Sequence, residues 1–154
     1  MSLEIEFASI SEGVATDARG NFTLVAVNPN ALIADQLPFL FNPILVVVAV
    51  DGEPANPVIV PGRTLTGRIE AAGPDDEILF VAQMRQAITA PVIPLIPPRL
   101  QVVAQVPFTA NKVGEFRLSA YITVVGEGEE VMGEVAAVRK IWILDAASAR
   151  PQTS

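Results

Sequence analysis

Apolar and polar residues alternate at period two along most of the chain, and turn-forming residues separate the alternating segments. That spacing predicts strands rather than helices. Leu3, Ile5 and Phe7 alternate with Glu4, Glu6 and Ala8, which predicts a half-buried first strand. Asp17-Ala18-Arg19-Gly20 predicts a tight turn, because aspartate bonds to its own backbone and glycine admits positive φ. A strand over 21–27 follows, with Phe22 and Leu24 on one face, and Asn28-Pro29-Asn30 ends it. Residues 31–41 are less regular: Pro38 and Pro43 forbid a long helix, so a coil or a bent edge strand is expected. Ile44 to Val50 has no polar face, which suits a central strand covered on both sides, closed by Asp51-Gly52.

Two further strands, 64–71 and 77–84, are joined across Gly73-Pro74-Asp75-Asp76. The segment Ala90-Pro91-Val92-Ile93-Pro94-Leu95-Ile96-Pro97-Pro98 cannot be a central strand, since proline donates nothing to a ladder. It reads as an extended crossing between sheets. Leu100 to Phe108 is the next strand. Phe116, Leu118, Ala120, Ile122 and Val124 then alternate with Glu115, Arg117, Ser119, Tyr121 and Thr123, and Gly126-Glu127-Gly128 turns the chain into a last strand over 131–144. The expected core contains Phe22, Leu24, Val46, Val48, Leu79, Val81, Phe116, Leu118, Ala120 and Ile122. About seven to nine short strands at this spacing, with no helix suited to a βαβ unit, predict an all-β, antiparallel β-sandwich of immunoglobulin-like type with little helix. One domain over 1–145 and a flexible tail over 146–154 are expected.

Composition narrows the chemistry. The 154 residues include no histidine and no cysteine, which removes the imidazole base, the thiolate nucleophile and the commonest zinc ligands. A net charge of −7, with the ten lysines and arginines scattered, argues against nucleic-acid binding. Hydrophobic residues make up 51% and mean hydropathy is +0.44, yet no run approaches the length of a membrane span. That apolar excess points to burial beyond one core, in an oligomer or against a partner. The N-terminal segment lacks the basic start and unbroken apolar stretch of a secretion signal, so a cytoplasmic location, or one within a protein assembly, is expected.

The order of these elements resembles a bacterial family of small all-β proteins to which no activity is assigned. The resemblance rests on Phe7-Ala8-Ser9-Ile10 through Gly20-Asn21-Phe22-Thr23-Leu24, on Leu37-Pro38, on the apolar strand Leu45 to Val50, and on Gly114-Glu115-Phe116. It implies a sandwich fold and supplies no activity. Immunoglobulin-type sandwiches share the last motif but carry tyrosine where this chain has Phe116, so the corner hydrogen bond of that tyrosine is lost.

Three constellations are candidates for function. Asp75, Asp76 and Glu77 form an acidic hairpin tip; solubility is the plain explanation, and oxygen-only calcium binding the alternative. The crossing carries Val92, Ile93, Leu95 and Ile96 without a charge. It either caps one end of the core or forms a stiff apolar ledge that docks a partner. Trp142, the single tryptophan, reads first as core and second as an interface anchor. No serine–lysine dyad, phosphate loop or placed carboxylate pair is present, so no enzyme and no cofactor are expected. The expected function is a non-enzymatic structural or protein-interaction module that self-associates or packs in a larger assembly. The alternative is a small-ligand or calcium-binding sandwich that uses its acidic loops.

Overall fold

A computed structural model describes residues 3–19, 21–25, 27 and 29–149, and all of the regular structure there is strand. Twelve strands follow in chain order: β1 (Leu3–Ser11), β2 (Gly13–Thr16), β3 (Phe22–Val25), β4 (Ala31–Ala34), β5 (Phe39–Phe41), β6 (Ile44–Asp51), β7 (Thr64–Ala72), β8 (Ile78–Ala87), β9 (Arg99–Gln105), β10 (Phe108–Ala110), β11 (Gly114–Val125) and β12 (Val131–Asp145). A three-stranded sheet, β1-β6-β9, shares one apolar core with a five-stranded sheet, β4-β12-β11-β7-β8. The pairing is antiparallel except where β4 runs parallel to the end of β12. The protein is an all-β molecule with sandwich-like packing. The strands outnumber the expected seven to nine because β2 forms where no strand is expected, residues 31–41 hold two short strands, β4 and β5, and the strand expected over 100–108 is split into β9 and β10.

The clean alternation of β11 does what its pattern requires. Phe116, Leu118, Ala120, Ile122 and Val124 are all buried. They meet Ala71, Ile69, Gly67 and Leu65 of β7 on one flank and Ile141, Arg139, Ala137, Val135 and Gly133 of β12 on the other. β6 is central and covered on both faces, as its unbroken apolar run predicts. Leu45, Val47 and Ala49 join the core, while the alternating Val46 and Val48 are buried outside that cluster. Phe41, Phe108 and Phe116 stack at centroid distances of 5.8 and 5.4 Å, so the β5–β10 pair closes one end of the core. The turn before β3 forms around Asp17, whose Oδ1 accepts the N–H of Arg19 at 2.8 Å and of Asn21 at 3.0 Å. The Asn21 amide, and then these N–H groups, hold the Asp17 carboxyl below its ordinary value.

Two expected positions differ. Phe7 is exposed, because a bulge between Ile5 and Phe7 reverses the faces and sends Ala8 and Ile10 inward instead. Val81 lies 44% exposed on the outer face, since a register shift at the start of the β7–β8 pair turns Phe80, Ala82 and Met84 toward the core. Leu24 and Leu79 are mostly covered, Leu79 packing against the core, and the side chain of Phe22 lies outside what is described. The strand expected over 100–108 is broken at Val106-Pro107 into β9 and β10. Residues 146–149 form a turn held by Asp145 and Ser148, with Asp145 Oδ1 accepting the Ser148 N–H at 2.7 Å; the rest of the expected tail lies outside the described residues.

The two sheets meet closely where β1 passes beside β12. A Cβ placed on Gly133 would stand 3.0 Å from Val58 Cγ1 and 3.2 Å from Leu3 Cγ, so glycine admits this approach. Gly133→Val should therefore destabilise the protein by about 1–3 kcal/mol, the usual range for forcing extra volume into a packed site. Chemical unfolding measures it, and an unchanged midpoint would show that Leu3 and Val58 yield freely.

Candidate functional site

The crossing links β8 of the five-stranded sheet to β9 of the three-stranded sheet, a change its prolines permit, and it is fixed at both ends. At one end the N–H of buried Ile88 donates to the Arg63 carbonyl at 2.9 Å, and its carbonyl accepts from Gly62 at 3.2 Å. At the other end the Pro98 carbonyl accepts the Asp51 N–H at 2.9 Å. Between these anchors the chain makes a turn closed by Ile96 N–H to the Ile93 carbonyl at 3.2 Å. Pro94 and Leu95 are its central residues. Leu95 has φ of 70°, in the left-handed region where a branched L side chain is disfavoured by about 1–2 kcal/mol. Glycine or asparagine usually takes such a position.

This strained leucine is 98% exposed. Ile93 and Ile96 are more than half exposed, and Val92 is 41% exposed. The four aliphatic residues named from the sequence thus stand together on the surface, and the core-capping role belongs to Ile88 instead. Beneath them lies a groove of about 610 Å³ whose apolar lining includes Val50, Ile59, Leu65, Ile88, Ile96 and Leu100. Of the four exposed aliphatic residues Ile96 enters the groove, which Gln86, Thr89 and Gln101 also line, and Arg99 pairs with Glu6 at 2.9 Å.

Trp142 lies elsewhere and is not core. It is 50% exposed on the outer face of β12, in line with Lys140 and Val138, because Arg139, Ile141 and Ile143 take the inner face. The charge of Arg139 is accommodated at the sheet junction, where its Nε donates to the Ala8 carbonyl of β1 at 2.6 Å. A bonded guanidinium therefore sits among core-facing positions, and the exposed tryptophan is not part of the crossing's patch.

The acidic tip is turned toward cations. Asp75 pairs with Lys112 and Asp76 with Arg117, while Glu77 Oε2 accepts the Asp75 N–H at 2.9 Å. Among the described residues no group of three or more Asp, Glu, His or Cys side chains is placed to hold a metal ion. Pairs this exposed are each worth little to stability. A second groove, of about 710 Å³, opens on the outer face of the five-stranded sheet beside Arg68, Glu70, Gln83, Arg85 and Tyr121. Its charges are already paired, Arg68 with Glu70 and Arg85 with Glu129. Among the described residues no helix is long and apolar enough to cross a membrane.

Sequence reasoning names the crossing's apolar residues but misses the left-handed leucine at its tip. The signal was the Pro94-Leu95 pair, proline at the position it prefers in such turns and an aliphatic residue where glycine belongs. It also passes over Asp51, read as a plain strand end, which proves to be the buried organiser of the neighbouring loop.

Comparison with known proteins leaves the reading to the structure. No family model matches the sequence, and no curated protein matches it. Among solved structures the chain is similar to the C-terminal domain of wzt, with a TM-score of 0.50 and 11% identity, over 99% of this chain and 84% of that one. Identity at this level speaks for a shared fold alone.

Proposed function

We propose that this protein is a non-enzymatic structural or interaction module of the immunoglobulin-like kind, which self-associates or packs in a larger assembly through the crossing at residues 88–98. One observation carries the reading. A fully exposed leucine is held in a strained backbone conformation at the tip of a charge-free, proline-framed segment. Strain of this sort persists where the surroundings impose it, and it clusters at sites with a job to do. Pro91, Pro94, Pro97 and Pro98 stiffen the segment, so little ordering cost is added when a partner covers it. A patch with no charge at its centre matches the composition of interface cores. The bacterial family resemblance and a cytoplasmic or assembly-bound setting belong to the same proposal.

The test is Leu95→Asn. Asparagine accepts the left-handed conformation more readily, so stability should hold or rise by up to about 1 kcal/mol. The docking side chain is lost at the same time. The expected outcome is an unchanged or higher melting temperature with loss of assembled species in sedimentation analysis. A drop in stability would show that Leu95 packs in the free protein, and assembly indifferent to Leu95→Asn combined with Ile93→Asp would sink the proposal.

A further inference from the structure

The two sheets differ in how their margins are finished. β1 lies against β12 and is tied to it through Arg139. β4 is only four residues long, and a short edge offers little to pair with. β9 is bracketed by Pro97, Pro98 and Pro107, which cannot donate to a ladder. β8 has no such guard. It runs ten residues, Ile78–Ala87, at the end of the five-stranded sheet, hydrogen-bonded to β7 on one side. β10 approaches it without forming a ladder. Its sequence, Ile-Leu-Phe-Val-Ala-Gln-Met-Arg-Gln-Ala, has no proline or glycine and a single charge, Arg85. At about 3.3 Å per residue this is an edge of roughly 33 Å, long enough to template another strand.

We propose that β8 pairs antiparallel with β8 of a second copy of this chain, joining two five-stranded sheets into one. The proposal rests on the reading that the chain assembles, and it names the partner and a second contact. The side chains fit a two-fold axis at Ala82. Residues opposite each other across such an axis share a face, and here their numbers sum to twice 82. On the core side Phe80 then meets the partner copy's methionine at position 84, and Met84 meets its phenylalanine at position 80, a favourable sulfur–aromatic pairing. Both side chains are only half-buried in the single chain, because β8 is the last strand over that flank of the core. On the outer face Val81, 44% exposed, meets a glutamine. The small alanine sits at the centre, where two copies approach most closely. Arg85 stands three residues from the axis, so the two arginines never oppose each other. Charge therefore does not resist the pairing, as a lysine-guarded edge would. The open margin of the core and the unpaired backbone of β8 are covered by one event.

The full-length protein is tested by sedimentation equilibrium across a range of concentrations. The expected mass is twice 16.3 kDa. Val81→Lys with Gln83→Lys places two charges on the exposed side of the strand and should restore the single-chain mass without changing the far-ultraviolet circular dichroism. Ala82→Cys is the second arm, in a chain that has no cysteine of its own. Mild oxidation should convert most of it to a disulfide-linked dimer, whether or not the lysine variant folds. A wild-type dimer that survives the lysine substitutions, or an Ala82→Cys variant that does not cross-link, overturns the β8 contact. If such a dimer is lost instead in Ile93→Asp with Leu95→Asn, the crossing stands and β8 falls. A dimer lost only in the lysine variant supports β8 and overturns self-association through the crossing. A single-chain mass at every concentration overturns the β8 contact and self-association through the crossing.

Discussion

Replacing Leu118 with alanine should lower the stability of the protein by about 2–5 kcal/mol, the range for truncating a buried leucine into a cavity that only partly closes. Leu118 is fully buried near the middle of β11, between Ala71 of β7 and Arg139 of β12. Both lateral neighbours are fixed in the five-stranded sheet, and the opposing sheet supplies Val47 and Val102 to the same core. Little can therefore move to fill the space. Against a typical domain stability of about 5–15 kcal/mol, the loss is a large fraction of the whole. Urea unfolding should show a lower midpoint with an unchanged slope, since the surface exposed on unfolding is nearly the same. Val81→Ala is the control. That residue sits on the outer face of β8, and its truncation should stay within about half a kcal/mol of wild type, the range of ordinary surface changes. A Leu118 variant as mild as that control would place β11 the wrong way round in the sheet.

The contrast between Leu118 and Val81 shows why some strands were legible and others were not. In β11 every second residue is polar, so only one face can be buried and the parity is fixed. In β8 the run Ile78-Leu79-Phe80-Val81-Ala82 is apolar throughout. Parity is then decided by the register shift beside Ala71 and Ala72, which no local spacing reveals. The bulge in β1 acts the same way, reversing faces after Ile5 so that Phe7 emerges and Ala8 turns in. β12 offers apolar residues on both faces, and alternation alone cannot choose. The choice falls to Arg139, whose side chain can face the core because the Ala8 carbonyl of β1 receives it. That contact joins residues far apart in sequence, and with it Trp142 goes to the outer face.

The crossing was legible for a different reason. Proline excludes residues 90–98 from any ladder, and a segment outside the ladders that links two sheets must run along the margin of the sandwich. Its aliphatic side chains were therefore bound to lie near the surface or to cap the core. Which of these holds depends on the anchors, Ile88 and Pro98, and on the turn that lifts Leu95 away from the groove. The sequence carries the composition of the patch, while its presentation follows from backbone hydrogen bonds to Arg63 and Asp51 on other elements.

Removing the carboxylate of Asp51 should cost about 3–5 kcal/mol, more than its place at the end of a strand suggests. Asp51 is the last residue of β6 and is 1% exposed. Its Oδ2 accepts the N–H of Val58 at 2.7 Å and of Ile59 at 2.9 Å, and its Oδ1 accepts that of Glu53 at 3.2 Å. The Val58 and Ile59 side chains belong to the core, so these bonds fasten the loop over 52–63 to the sandwich. From the other side Arg63 Nη1 donates to the Val58 carbonyl at 2.8 Å and the Pro57 carbonyl at 3.1 Å. In Asp51→Ala the buried N–H groups of Val58 and Ile59 lose their acceptor, at about 1–3 kcal/mol for each buried group left unsatisfied. Val58 also packs within reach of Gly133, so a displaced loop would loosen the junction between the sheets. Asp51→Asn keeps one acceptor oxygen of the same shape and should cost less, about 1–3 kcal/mol. Denaturant unfolding of both variants gives the ordering. Amide hydrogen exchange at Val58 and Ile59 gives the cause, because local opening should speed those two amides before the β11 amides respond. If Asp51→Ala costs less than about 1 kcal/mol and both amides stay protected, the loop is held by Arg63 and core packing, and the carboxylate is dispensable.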